Sequence, residues 1–339
     1  MNIKTNILLS TLTTMRLGGP ARFFAEATTI DELVTLYRNA KKLQQPVTII
    51  GGGSNIIAHD EGFNGLVIRN AIKGYETIAD DSETTTIKIG GGENWDAVVQ
   101  RTVDQGLSGI ETLSAIPGTT GAAPVQNIGA YGQEIADTFV NLEAYDSEND
   151  MLVQLDWQDC NFSYRHSIFR GSSQGRYAIV SITLKLYKKN LKPPFYSGLQ
   201  RYLDENNITE YTPQTIRTAI IAIRGDKLPD PQFVANSGSF FKNAIVETWQ
   251  YTKLQEQYDD IPGFKMDDNH YKIPTGWLIE EAGLKGEVFN GMKVHSGNAL
   301  VLINESAQSY KDLESARQSI VAAVRDKFQI VIEQEPLEI

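Results

Sequence analysis

Three glycines directly after an apolar tetrad set the tightest condition on this chain. Val47-Thr48-Ile49-Ile50 reads as a strand, and Gly51-Gly52-Gly53-Ser54-Asn55 must lead out of it. Consecutive glycines permit φ > 0 and close backbone approach. Their N–H groups can converge into an anion-binding nest, with a tight turn as the plain alternative. No Gly-Lys-Ser/Thr follows, so the segment is not a P-loop. Ile56-Ile57-Ala58 continues as apolar chain, so it is not a GxGxxG motif opening a helix. A second segment runs from Ile116-Pro117-Gly118 through Thr119-Thr120-Gly121-Ala122-Ala123-Pro124-Val125 to Gln126-Asn127-Ile128-Gly129-Ala130-Tyr131-Gly132. Dense in Gly, Ala and Pro, it makes a poor core and suits laying backbone against a large flat ligand. Two such segments in one half of the chain point to a dinucleotide.

The 339 residues are enough for two or three domains. Charge is −11, from 31 basic and 42 acidic side chains, which disfavours nucleic acid and anionic membrane as partners. No apolar run approaches a membrane span, and the N-terminus lacks the apolar core of a signal peptide. A cytoplasmic protein is the expectation. The single cysteine, Cys160, excludes an intrachain disulfide and is expected to be buried. The four His show no metal-ligand spacing, so no metal is expected.

Strands and helices alternate in the first half. Thr29 and Glu32 have capping-box spacing before a helix that turns Leu33, Leu36, Tyr37, Ala40 and Leu43 to one side. Trp95, Val98, Val99, Thr102 and Val103 give a second helix one apolar face. Further on, Pro213–Ile223 predicts a helix, Ser309 and Asp312 cap another, and Ile330-Val331-Ile332-Glu333 predicts a strand. The class expected is α+β. The expected divisions are 1–72 and 73–190 as two cofactor subdomains, 191–328 for substrate, and 329–339 as a C-terminal strand. No sustained heptad or isolated apolar patch is visible, so the sequence does not give the oligomeric state; a monomer is the working expectation.

The motifs become specific in combination. They are Arg16-Leu17-Gly18-Gly19-Pro20-Ala21, the two glycine segments, Phe162-Ser163-Tyr164-Arg165-His166-Ser167-Ile168-Phe169 and Lys227-Leu228-Pro229-Asp230-Pro231. Gly238-Ser239-Phe240-Phe241-Lys242-Asn243 and Gly276-Trp277-Leu278-Ile279-Glu280 follow. In this order they resemble the UDP-N-acetylenolpyruvoylglucosamine reductases of bacterial peptidoglycan synthesis. That family lies within the vanillyl-alcohol-oxidase (PCMH-type) FAD-binding flavoproteins. The resemblance implies a two-part FAD-binding region, NADPH as co-substrate and a UDP-linked amino-sugar substrate whose enolpyruvyl group is reduced.

The resemblance also implies residue roles. FAD would be held by Gly51, Gly52, Gly53, Ser54, Asn55, Ile116, Pro117, Gly118, Gly121, Ala122, Gln126, Asn127, Gly129, Ala130 and Tyr131. Arg165 would be the catalytic arginine, and a guanidinium suits a carboxylate or enolate because its fork is bidentate and never deprotonates. Ser239 would donate the proton, and Glu335 would be the C-terminal catalytic acid. Periodicity alone cannot choose between Glu333 and Glu335, and Pro336 departs from the family pattern. Tyr164, Tyr196, Lys227, Asn243 and Asn298 would serve the substrate, with Tyr196 marking the longer-loop type. Some related oxidases tether FAD through a His near His59. A reductase has no use for the raised potential, so FAD is expected to be non-covalent. The alternatives are a sugar or alcohol oxidase of the same fold and a non-catalytic nucleotide-binding module.

Overall fold

The computed structural model describes residues 2–339. Its contacts divide into two compact units. The first takes Met1–Ile7, Ala21–Gly53 and Phe63–Gly225, and the second Leu8–Pro20, Ser54–Gly62 and Asp226–Ile339. The boundary expected near residue 190 thus falls inside the first unit. The Ser197–Glu205 and Pro213–Lys227 helices bury Leu199, Leu203, Ile216 and Ile220 in a cluster of their own. The span expected as the first subdomain is itself divided, since Leu8–Pro20 and Ser54–Gly62 fold with the C-terminal residues.

The first unit holds two larger sheets. One has the order Lys4–Leu8, Pro20–Ala27, Phe63–Asn70, Val47–Ile50, its last three strands parallel. The Ile30–Lys42 helix packs there through Leu33, Leu36, Tyr37 and Ala40. Thr29 accepts the Glu32 N–H, while the Glu32 carboxylate reaches back to the N–H of Thr28. Leu43 was expected on the apolar face but lies past the helix end, 69% exposed.

The other sheet is antiparallel, in the order Met151–Asp156, Phe139–Asp146, Tyr177–Tyr187, Thr84–Gly90, Tyr75–Asp80. Ile87, Ile89, Ile182, Leu184 and Leu186 join Trp95, Val98, Val99 and Val103 of the Trp95–Asp104 helix in one core. Cys160 is buried there, and loss of solvent pushes its thiol up to about 12.

The second unit has a four-stranded sheet ordered Asn236–Ser239, Val301–Asn304, Met292–Val294, Val288–Phe289. A three-stranded sheet has the order Ala244–Glu247, His270–Ile273, Phe264–Lys265. The Tyr310–Phe328 helix opens on a complete Ser309/Asp312 capping box and buries Leu313, Ala316, Ile320 and Val324. Ile330–Glu333 is not a strand. The chain end instead bridges Phe241 at Gln334 and forms a short parallel pair, Leu337–Glu338 on Ile56–Ile57. Among the described residues, no helix is long and apolar enough to cross a membrane.

One ion pair fixes the helical corner of the first unit. Arg217, 4% exposed, forks onto both Asp96 oxygens at 2.6 and 3.0 Å and donates to Gln100 at 2.7 Å. Asp96 also accepts the Ala115 N–H at 2.6 Å. Removing the acid strands a buried guanidinium and an amide. Asp96→Ala is expected to cost about 2–4 kcal/mol, somewhat discounted because the Asp96 side chain is 36% exposed. A urea titration reads this as a lower midpoint, and an unchanged midpoint refutes it.

Candidate active site

The two glycine segments meet within the first unit. A Cβ on Gly52 would stand 3.1 Å from the Gly118 Cα, and one on Gly51 would stand 2.2 Å from Thr119 Oγ1. The loops therefore approach as bare backbone. Beyond Ile116 and Pro117, Gly118 accepts the Trp95 N–H, and Gly121 donates its N–H to Gly91. Gly52, Pro117 and Ala122 are exposed, so backbone and small side chains face outward. Gly53 closes this part of the loop, and Ser54 and Asn55 belong to the second unit. There the Asn55 carbonyl accepts the Leu337 N–H at 3.0 Å.

The rest of the second segment forms a 3-10 stretch, Thr120–Gln126, and then a hairpin of Gly129–Ala130 with Gln133–Glu134. Tyr131 and Gly132 turn it with φ of 49° and 90°, the positive pair a two-residue hairpin favours. Asn127 is fully buried at φ 45°. Its amide donates to Glu134 and to the Ser163 carbonyl and accepts the Ala136 N–H. The Asn127 side chain thus supports the turn that follows Ser163, and Gln126 accepts from Arg170.

Ser163 and His166 exchange backbone hydrogen bonds, leaving Tyr164 and Arg165 at the tip of a tight turn. Arg165 sits at φ 52°, a region that costs an L-residue about 1–3 kcal/mol and is concentrated at functional sites. Its Nη2 donates to the Gly129 carbonyl at 2.8 Å, and its guanidinium lies 5.3 Å from the Tyr164 ring centre. The arginine is thereby tied to the hairpin carrying Ala130 and Tyr131. The Tyr131 ring meets Tyr196 edge-on at 5.9 Å, so a cofactor candidate and a substrate candidate share one wall. Tyr196 is 46% exposed at the start of the Ser197–Glu205 helix.

Within the second unit, Ser239 and Glu335 come together. The Asn236–Ser239 strand slips register against Val301–Asn304, with Gly238 at φ 74°. Such a bulge re-aims the next side chain, and here that is Ser239. Phe240 and Phe241 anchor the turn, 0% and 2% exposed. The Phe240 carbonyl accepts the Glu335 N–H at 2.8 Å. Ile330 and Ile332 face in and Val331 and Glu333 face out, but the phase then shifts and Glu335 is buried. Glu333 pairs with Lys242 at 3.0 Å, its side chain 72% exposed.

Asn243 and Asn298 flank the start of the Thr275–Glu281 helix. Asn243 Oδ1 accepts the Thr275 N–H at 3.2 Å, and Asn298 Oδ1 accepts the Leu300 N–H at 3.1 Å and lies 3.8 Å from a Cβ built on Gly276. Lys227 is exposed at the end of its helix. Arg16 donates to the Pro231 and Gln232 carbonyls, joining the first motif to the turn after Lys227. His59 stacks on Tyr310 at 4.0 Å and lies 3.2 Å from Glu338.

Sequence reasoning missed Arg224. It donates to the Ala115 carbonyl, at the entry to the second glycine segment, while its Nε is buried without a hydrogen-bond partner. Burial, with Arg165 adding repulsion, holds its guanidinium below the usual arginine range. The signal was present, since Arg217 and Arg224 stand seven apart on one helix face. A partly buried cation beside bare glycine backbone fits an anionic dinucleotide such as FAD.

Comparison with known proteins agrees with this geometry. Residues 21–155 match a family described as FAD binding domain. Residues 230–339 match UDP-N-acetylenolpyruvoylglucosamine reductase, C-terminal domain. The UDP-N-acetylenolpyruvoylglucosamine reductase of Dechloromonas aromatica is 37% identical over 99% of both chains. That of Burkholderia cenocepacia is 37% identical over 96% of this chain and 93% of its own. The crystal structure of the Thermus caldophilus reductase covers 100% of this chain and 99% of its own, with TM-score 0.68 at 22% identity, which establishes a shared fold. The chain belongs to the UDP-N-acetylenolpyruvoylglucosamine reductase family of FAD-dependent oxidoreductases.

Proposed function

We propose that this chain reduces the enolpyruvyl ether of UDP-N-acetylglucosamine to UDP-N-acetylmuramate, with NADPH as reductant, for peptidoglycan synthesis. The observation that supports it most directly is the 2.8 Å bond from the Glu335 N–H to the Phe240 carbonyl, which sets the acid beside the serine bulge. Bound FAD would supply hydride-transfer chemistry between NADPH and the terminal carbon of the enolpyruvyl group. The glycine segments and Arg224 would hold it without a covalent bond, since the His59 ring is engaged with Tyr310 and Glu338.

Hydride arrival leaves negative charge on the neighbouring carbon and its carboxylate. Arg165 grips that enediolate with a charge that does not titrate away. Glu335, as the neutral acid, donates a hydrogen bond to it. Ser239 hands its hydroxyl proton to the carbon and recovers one from solvent. Tyr164 shapes the wall beside Arg165. Tyr196, Lys227, Asn243 and Asn298 hold the nucleotide-sugar, Lys227 as a point charge for the diphosphate. NADPH and UDP-linked sugars are cytoplasmic metabolites, so the enzyme acts there, as a monomer carrying all three catalytic groups.

Three substitutions test these roles. Ser239→Ala is expected to retain FAD and its reduction by NADPH. Anaerobic stopped-flow should show reoxidation by the enolpyruvyl nucleotide slowed by ~10²–10⁴-fold, with Ser239→Cys recovering part of the rate. Wild-type reoxidation in Ser239→Ala would reduce the serine to a turn residue. Glu335→Gln should slow reoxidation far more than Glu333→Gln, and the reverse order assigns the role to the wrong glutamate. Tyr196→Ala should weaken substrate by about 1–3 kcal/mol while sparing flavin content. An unchanged KM for the enolpyruvyl nucleotide would reject that contact.

A further inference from the structure

Glu335 lies in an irregular stretch of chain, and regular sheet does not fix its backbone. Its surroundings do so side by side. Arg317, on the Tyr310–Phe328 helix, donates through Nη1 to Gln334 Oε1 at 2.7 Å and to Glu338 Oε1 at 2.5 Å. Gln334 Nε2 spans Glu335 to reach the Pro336 carbonyl at 2.9 Å and continues to Glu338 Oε1 at 3.2 Å. The other Glu338 oxygen lies 3.2 Å from His59 Nε2. Gln334 and Glu338 are thereby gathered on one guanidinium, with the Pro336 carbonyl tied to them through Gln334. Glu335, between Gln334 and Pro336, is buried.

The main chain is held at the same place. The Glu335 N–H meets the Phe240 carbonyl, and the Leu337 and Ile339 N–H groups meet the carbonyls of Asn55 and Ile57. Pro336 restricts Glu335 to extended backbone. Rotation about Glu335 would break the Gln334–Pro336 bridge first, and Arg317 is what holds Gln334.

We propose that Arg317 is a positioning residue for Glu335, acting through Gln334 and Glu338. The inference rests on the reading of Glu335 as the catalytic acid. A misplacement of about 1 Å at a reacting group can cost ~10²-fold in rate, so Arg317→Ala should slow reoxidation of reduced flavin by roughly 10–100-fold. FAD content and reduction by NADPH should stay near normal. Arg317→Lys should recover part of the rate, since an ammonium can meet Glu338 but lacks the planar fork.

Three further readouts separate positioning from general damage. In the holoenzyme carrying Glu335→Gln, adding Arg317→Ala should slow reoxidation by less than about twofold, because both changes remove one function. The pH profile of reoxidation should shift in Arg317→Ala. The Glu335 carboxyl resonance, assigned in ¹³C-glutamate-labelled protein by its absence from Glu335→Gln, should titrate differently. If Arg317→Ala does not fold, Glu338→Gln keeps the shape and should show the same pattern more weakly. Multiplying effects in the double variant overturn the proposal. So does wild-type reoxidation in both Arg317→Ala and Glu338→Gln while Glu335→Gln is impaired. Wild-type reoxidation in Glu335→Gln overturns instead the catalytic role of Glu335 on which the proposal stands.

Discussion

A side chain at Gly52 would put its Cβ 3.1 Å from the Gly118 Cα, and the first unit is arranged around that approach. Two loops can meet as bare backbone only if what holds them lies behind them. Trp95 supplies part of that support. Its side chain is 1% exposed and donates to the Leu113 carbonyl at 3.0 Å, while its N–H meets the Gly118 carbonyl. Asp96 supplies another part, joining Ala115 to the buried Arg217. The apolar core and the ion pair thus both act on a segment that adds Ala123 and Ile128 of its own to that core.

The same segment concentrates backbone strain. Ala115, Asn127 and Tyr131 all have positive φ, as does Arg165 at the turn that Asn127 supports. None is glycine, and each conformation costs about 1–3 kcal/mol. The surrounding hydrogen bonds over-determine these residues. A rigid, preset surface follows, which suits binding a large cofactor and presenting one guanidinium to a developing negative charge.

In the second unit the corresponding device is a register slip. The register slip around Gly238 falls just before Ser239, which pairs with Val301, and the chain end runs beside the two buried phenylalanines that follow. A short strand, Leu337–Glu338, closes on Ile56–Ile57, so the chain just past the first glycine segment and the tail after Glu335 are parts of one small sheet. Residues almost three hundred positions apart are set by a few backbone bonds.

Much of this was legible beforehand. Capping at Thr29 and Ser309, the apolar faces of the helices, and the glycine segments follow from local chemistry, and so does the burial of Cys160. Motif order singled out Arg165 and Ser239 as candidates because each sits in a short, distinctive turn. Periodicity could not separate Glu333 from Glu335, since two residues apart on a strand share a face. The tail is not a strand there, and the phase break that buries one glutamate and exposes the other comes from the pairing with Phe240 and Lys242. Arg224 left only its seven-residue spacing from Arg217 as a signal, and Arg317 left none. Both read as helix-surface arginines until partners distant in sequence cover them. Local pattern determines which backbone conformations a segment can adopt, and only long-range packing decides which charge is buried and what it faces.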